Sequence, residues 1–199
     1  METVILLHGL GRSSTSMRYM ALRLQWAGFD TVTLDYPSRE AGIAELVDGL
    51  FRRLPKAGRL HMVGHSLGGV LAKHLMLRLP PQRRGRIVQL GAPNFGSEIA
   101  ETVDFLAPVM GPALEDLRPN GGIDDSGLDI GAIAGTAAPE ALGRLTGIEG
   151  ENDGKVSVKS AWGNAPEGKR IKLPVAHSVM MLNRDVIAAT VKFLREGRF

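Results

Sequence analysis

The sequence predicts an α/β fold, a three-layer α/β/α sandwich on a mostly parallel sheet of about six strands. Three observations predict it. Short apolar or β-branched runs alternate along the chain with stretches of helical periodicity. Most of those runs are bounded by Gly, Pro or Asp and are continuously apolar, as strands covered on both faces are. The most distinctive residues, His8 to Gly11, Ser66, and Gly91 to Gly96, each follow directly after such a run. In an open parallel sheet, ligands bind beyond the carboxyl ends of the strands.

Taken in order, residues 3–7 are the first predicted strand, because Val4-Ile5-Leu6-Leu7 is apolar throughout. The run is too short, and lacks the basic start, for a signal peptide. A helix follows over 15–27, with Ser14 or Thr15 offering the cap. Strand 30–34 and helix 40–53 come next, then strand 60–64, helix 67–78 and strand 86–90. Residues 98–110 read as a helix, with Ile99, Val103, Leu106, Val109 and Met110 at helical spacing. The stretch 112–128 is rich in Pro, Asn, Gly and Asp and reads as a long surface loop or flexible cover. Strands at 129–134 and 169–173 and a helix at 183–196, capped by Asn183, complete the pattern. No composition shift or internal repeat interrupts it, so residues 1–199 are expected to form one domain.

Composition excludes several classes of function. Hydrophobic content of 44% and charged content of 23% are ordinary for a globular protein. The chain has no cysteine, which removes disulfides, thiolate metal sites and cysteine nucleophiles together. No run approaches the ~18 apolar residues of a membrane span. The basic cluster Arg83-Arg84-Gly85-Arg86 has no aromatic residues interleaved and reads as a solvated loop rather than a nucleic-acid patch. No His, Asp or Glu cluster has metal-ligand spacing, and no dinucleotide or phosphate loop is present, so neither metal nor cofactor is expected. A cytoplasmic location is the expectation. Oligomeric state stays open.

The chemistry is carried by Gly64-His65-Ser66-Leu67-Gly68-Gly69. This is G-x-S-x-G between a strand and a helix, the nucleophile elbow. Chance alone gives roughly 0.15 matches in a chain of this composition; the flanking strand and helix supply the specificity. A serine hydroxyl needs a base, an acid to orient the base, and donors for the oxyanion. Of the five histidines, only His177 lies in a late loop, after the last strand and before the last helix. His61 and His74 fall inside elements, His8 in the first loop, and His65 in the elbow, where its ring should point away from the hydroxyl. In this chain order the acid lies between serine and histidine. Asp153, in Glu151-Asn152-Asp153-Gly154-Lys155-Val156, is the choice, against a simple turn-forming Asp-Gly and against Asp124, Asp125 and Asp129. The amides of Leu10, in His8-Gly9-Leu10-Gly11, and of Leu67 are the expected oxyanion donors. Phe95, Ile99, Val103, Leu106 and Met110 are candidates for an apolar substrate wall; the alternative is a helix packed on the core.

These residues resemble the α/β-hydrolase superfamily, and within it the small bacterial lipase and esterase branch. Asp35-Tyr36-Pro37-Ser38 and Leu90-Gly91-Ala92-Pro93-Asn94-Phe95-Gly96-Ser97 add to the resemblance, the latter looking like L-G-[TA]-P-x-x-G-S. In related lipases the aspartate of N-D-G-x-V is the triad acid, and the histidine follows some two dozen residues later; here the gap is 24 residues. The resemblance implies a minimal version of the fold, without the two extra N-terminal strands and the inserted lid domain of larger members. It implies a carboxylic ester hydrolase for small-molecule esters, with Ser66, His177 and Asp153 as its triad; the missing lid domain and the modest apolar segment 95–114 point to short to medium acyl chains. The same triad serves acyltransferases and thioesterases, and a non-catalytic member would bind an acyl ligand or a partner.

Overall fold

Six parallel strands form one sheet in the order β2-β1-β3-β4-β5-β6. They are β1 (Glu2–Leu7), β2 (Asp30–Leu34), β3 (Arg59–His65), β4 (Arg84–Leu90), β5 (Asp129–Gly135) and β6 (Arg170–Leu173). The computed structural model describes residues 2–95, 111–116, 124–138 and 148–199. Every pair of neighbouring strands in it is parallel. The helices are α1 (Arg18–Trp26), α2 (Ile43–Arg53), α3 (Leu67–Arg78), α4 (Pro112–Asp116), α5 (Val158–Trp162) and α6 (Arg184–Glu196).

Alternate side chains of each strand feed two cores. Ile5, Leu7 and Met62 pack with Leu46, Val47 and Leu50 of α2 and Leu71 and Leu75 of α3. Val4, Leu6, Val63 and Val88 pack on the other face with Met20 and Leu24 of α1 and Val186, Ile187 and Phe193 of α6. That double coverage is why the strands read as unbroken apolar runs. Each such side chain contributes about 1.5–3 kcal/mol on leaving water. The order also creates a switch point. β1 lies between β2 and β3, so the chain leaving β1 turns to the α1 face while the chain leaving β3 turns to the α3 face. In open parallel sheets such a switch point is where ligands bind.

The helix starts refine the sequence reading. Neither Ser14 nor Thr15 caps α1; a 3-10 turn over Ser14–Met17 leads into it without a side-chain cap. The Ser14 amide instead donates to Asp35 Oδ1 at 3.0 Å, which ties this turn to the end of β2. Asn183 caps α6 as expected, its Oδ1 accepting from the amides of Asp185 and Val186 at 2.9 and 3.1 Å. α2 begins at Ile43, and its first amide donates to Asp116 Oδ2 of α4 at 2.7 Å, a cap supplied from far along the chain. α4 lies inside the stretch 112–128 that reads as loop, and α5 has no counterpart among the expected helices. The helix predicted over 98–110 lies outside the described residues. No described helix is long and apolar enough to cross a membrane.

The basic cluster, expected as a solvated loop, instead leads into and opens β4, and its arginines bind backbone. Arg84 reaches the carbonyls of Leu77 and Leu79, both at 2.8 Å, at the end of α3. Arg83 reaches those of Pro55 and Gly58 at 2.7 and 3.0 Å, and Arg86 that of Leu194 at 2.8 Å. Arg195 holds the carbonyl of Ala27, just past α1, at 2.6 Å. Arg84, Arg86 and Arg195 thus satisfy acceptors that helix ends leave open, and Arg83 those of the loop after α2.

Candidate active site

β3 ends at His65 and α3 begins at Leu67, so Ser66 makes the whole turn. Its backbone sits at φ 53°, ψ −123°, and among the described residues it alone has a positive φ without being glycine. Such a conformation costs on the order of 1–3 kcal/mol and persists only where its surroundings enforce it. A methyl group on Gly64 would collide with the backbone of Gly68, and one on Gly68 with the carbonyls of Leu7 and His8. One on Gly69 would lie 2.6 Å from Ala92 Cβ. The glycines of the elbow are thus required by contact. Ser66 itself is half-buried, with its amide donating to Leu90 O at 2.9 Å.

Asp153 and His177 meet behind the ends of β4 and β5. Both are buried, and His177 Nδ1 lies 2.7 Å from Asp153 Oδ2. A carboxylate oxygen only accepts, so Nδ1 carries the proton and Nε2 is left as the basic nitrogen. Asp153 Oδ1 accepts from the amides of Lys155 and Val156 at 3.0 and 2.8 Å. The turn is set by Gly154 at φ 96° and by Asn152, whose Oδ1 accepts from the Gly154 amide at 2.9 Å. A second link joins the same two residues, the His177 amide donating to Asp153 O at 2.9 Å. The rival acids are engaged elsewhere. Asp129 pairs with Arg86 and Lys169 at the opposite end of the sheet, and Asp125 with Lys73 at 3.2 Å. Asp124 Oδ1 accepts from the Ser126 amide.

The His8–Gly11 loop is braced by the segment after β2. His8 is buried and stacks on Tyr36 with ring centroids 3.9 Å apart. Its Nε2 lies 3.1 Å from Asp35 Oδ1 and its Nδ1 2.9 Å from Gly9 O. Burial still holds its pKa below the ordinary value. The Tyr36 hydroxyl donates to His8 O, and the Gly11 amide donates to Ser38 Oγ at 3.0 Å. This explains Asp35-Tyr36-Pro37-Ser38 as loop support. At Gly9 a methyl would lie 3.3 Å from Ser66 Cβ, so the loop backbone presses on the elbow. Among the described residues no hydrogen bond engages the amides of Leu10 or Leu67.

Sequence reasoning missed one contributor. His65 Nε2 lies 2.9 Å from the carbonyl oxygen of His177, with the two rings 4.7 Å apart. Its place in the variable position of the elbow carries no signal of this, since its partner is a backbone atom 112 residues away. Of the apolar wall, Phe95 is described and 45% exposed, its amide donating to Ser160 Oγ at 3.4 Å. Its neighbour Asn94 is held by a doubled amide pair with Gln89 and by the Ala161 carbonyl, all at 3.0 Å. Ile99, Val103, Leu106 and Met110 lie outside the described residues. No metal-ligand group occurs among the described residues.

Residues 4–187 match the model of the alpha/beta hydrolase family. No curated relative matches the sequence. Among solved structures, the fold is similar to that of the lipase BlEst2 of Bacillus licheniformis in its propeptide form. The TM-score is 0.73 and the identity 19%, over 95% of this chain and 50% of that one. It is similar to the metagenomic carboxyl esterase MGS0156, with a TM-score of 0.72 at 18% identity over 89% of this chain and 65% of that one. A methylesterase of Arabidopsis, MES16, gives 0.63 at 14% identity over 98% and 99% of the two chains. The chain thus spans half the length of the lipase and 65% of the first esterase.

Proposed function

Because this chain belongs to the alpha/beta hydrolase family, we propose that it is a serine hydrolase of small-molecule carboxylic esters with short to medium acyl chains. The observation that carries the reading is the buried Asp153–His177 hydrogen bond, 2.7 Å long, on a turn tethered to the residue beside the strained Ser66. Ser66 Oγ attacks the ester carbonyl while His177 Nε2 takes its proton. Asp153 fixes the tautomer and stabilises the imidazolium. The amides of Leu10 and Leu67 receive the oxyanion, the second strengthened by the N-terminus of the twelve-residue helix α3. His177 returns the proton to the leaving alcohol, and water attacks the acyl-enzyme by the reverse sequence. The lipase and esterases that share the fold support an ester as the substrate class.

The test is labelling by a fluorophosphonate, read by peptide mass spectrometry, alongside hydrolysis of esters from acetyl to palmitoyl. Label on Ser66 and a maximum at short to medium chains are expected. An unlabelled, inert protein would leave ligand binding as the function. Partitioning of the acyl group to added alcohols in preference to water would make it a transferase.

A further inference from the structure

His65 closes β3 with a ring that the reaction itself does not use. It is 1% exposed. The atom facing its Nε2 is a carbonyl oxygen, that of His177 at 2.9 Å, which can only accept, so Nε2 carries the proton. Nδ1 is then bare. Among the described residues it is buried without a hydrogen-bond partner, and it faces the α-carbon of Gly9, where a methyl would lie 2.8 Å away. The same ring lies tilted against the His177 ring. One side chain therefore touches the turn that bears the base and the loop that bears the Leu10 amide, and its own backbone continues directly into Ser66.

We infer that His65 is a positioning residue, which sets the His177 turn and the Gly9–Leu10 loop in register with Ser66. The inference rests on the reading of Ser66 and His177 as nucleophile and base. Those parts come from three distant stretches of chain, so nothing local holds them together. His177 is pinned through both of its backbone polar groups. Its amide donates to Asp153 O and its carbonyl accepts from His65, which fixes the base against acid and nucleophile at once. A displacement of about 1 Å in such an arrangement costs ~10²-fold in rate.

The site also explains why the ring stays neutral. A second proton, on Nδ1, would point toward Gly9 with no acceptor among the described residues, and a buried unpaired donor is costly. Burial, the neighbouring His177 and the cations Arg12 and Lys155 hold its pKa well below the ordinary value, against the pull of the His177 carbonyl. A neutral His65 with the proton fixed on Nε2 does not compete with His177 for the serine proton.

The test compares three substitutions. His65→Gln places an amide nitrogen as far along the side chain as Nε2 and keeps the donor to His177. His65→Asn places it where Nδ1 stood, and His65→Leu removes it. Below the melting temperature of each variant, Leu and Asn should lower kcat by ~10²-fold with little change in KM, and slow fluorophosphonate labelling in parallel. Gln should recover most of the loss. Nitrogen-15 spectra of the wild-type ring should show the neutral, Nε2-protonated form unchanged from pH 8 to pH 5. Wild-type kcat in folded His65→Leu, equal losses in Gln and Asn, or titration of His65 in that range would each overturn the inference. If His65→Leu does not fold, the Gln–Asn contrast and the spectra decide. If the wild-type protein is neither labelled nor active, the ester-hydrolase reading fails instead, and the spectra alone decide whether His65 holds the His177 turn.

Discussion

Gly91 lies with its α-carbon against the carboxylate of Asp153. A methyl placed on it would come 2.8 Å from Oδ2, and 3.1 Å from Nδ1 of His177. The backbone there is at φ 57°, a conformation that glycine adopts without penalty. Gly91→Ala is therefore expected to wedge apart the acid and the base. Turnover should fall by at least an order of magnitude, beyond what a loss of ~1–2 kcal/mol in stability explains. Kinetics and melting curves on the same sample separate the two effects.

Asp153→Asn should lower turnover by roughly 10⁴, as an amide that selects the wrong imidazole tautomer does in a serine protease. An asparagine forms the turn before Gly154 equally well, so stability should change little. Asp129→Asn should behave oppositely. It weakens the contacts with Arg86 and Lys169, at 3.0 and 2.7 Å, and leaves turnover near normal. Normal activity in the first variant with collapse in the second would move the acid to Asp129.

Ser66→Gly should abolish ester hydrolysis and raise the melting temperature. The φ of 53° is strained for serine and free for glycine. Relief of that strain exceeds the extra chain entropy of glycine, leaving a net gain of about 1 kcal/mol or less. A lower melting temperature would mean that the turn is not strained in the folded protein.

Four histidines give a pH dependence with a definite sign. Burial is the leading cause in each case, and it lowers the pKa of His8, His61, His65 and His74 below the ordinary 6.5. Between the folded and unfolded values the unfolded chain binds more protons, so stability rises with pH. The contribution is complete above about pH 6.5 and is lost as pH falls below it. A fully shifted histidine contributes a slope of at most about 1.4 kcal/mol per pH unit. Denaturation midpoints should fall from pH 7 to pH 5, and His65→Gln should flatten the fall.

His177→Ala should lose as much activity as Ser66→Ala, because members of such a constellation act as a unit. His8→Ala should lose less, since His8 braces the loop through Tyr36 and Asp35. An inactive His8→Ala beside an active His177→Ala would show that the base is His8.

The local part of this architecture was legible in the sequence. The strands are apolar because both faces are covered, and the elbow glycines are fixed by contacts with one another, with the end of β1 and with Ala92 just past β4. Turn residues around Asp153 and His177 announce loops, and the resemblance, through the N-D-G-x-V turn and the 24-residue gap, matches them as a pair. What could not be read depends on long-range geometry. The cap on α2 is a carboxylate 73 residues away, and a five-residue helix such as α4 has too little length to show a period. The two polar faces of His65 are met by a carbonyl and an α-carbon, which have no residue identity to recognise.

The arginines on backbone carbonyls change how the surface of this protein can be engineered. A net charge of +3 invites substitution of basic residues to shift the isoelectric point or improve solubility. Arg84 is a poor target, because its guanidinium fork bridges the carbonyls of Leu77 and Leu79 and a lysine has only one charged nitrogen to offer them. A glutamate there would repel both. Arg83, Arg86 and Arg195 are constrained in the same way. Recharging is better directed at Arg198, which among the described residues is held by no more than a loose ion pair with Glu196 at 3.7 Å.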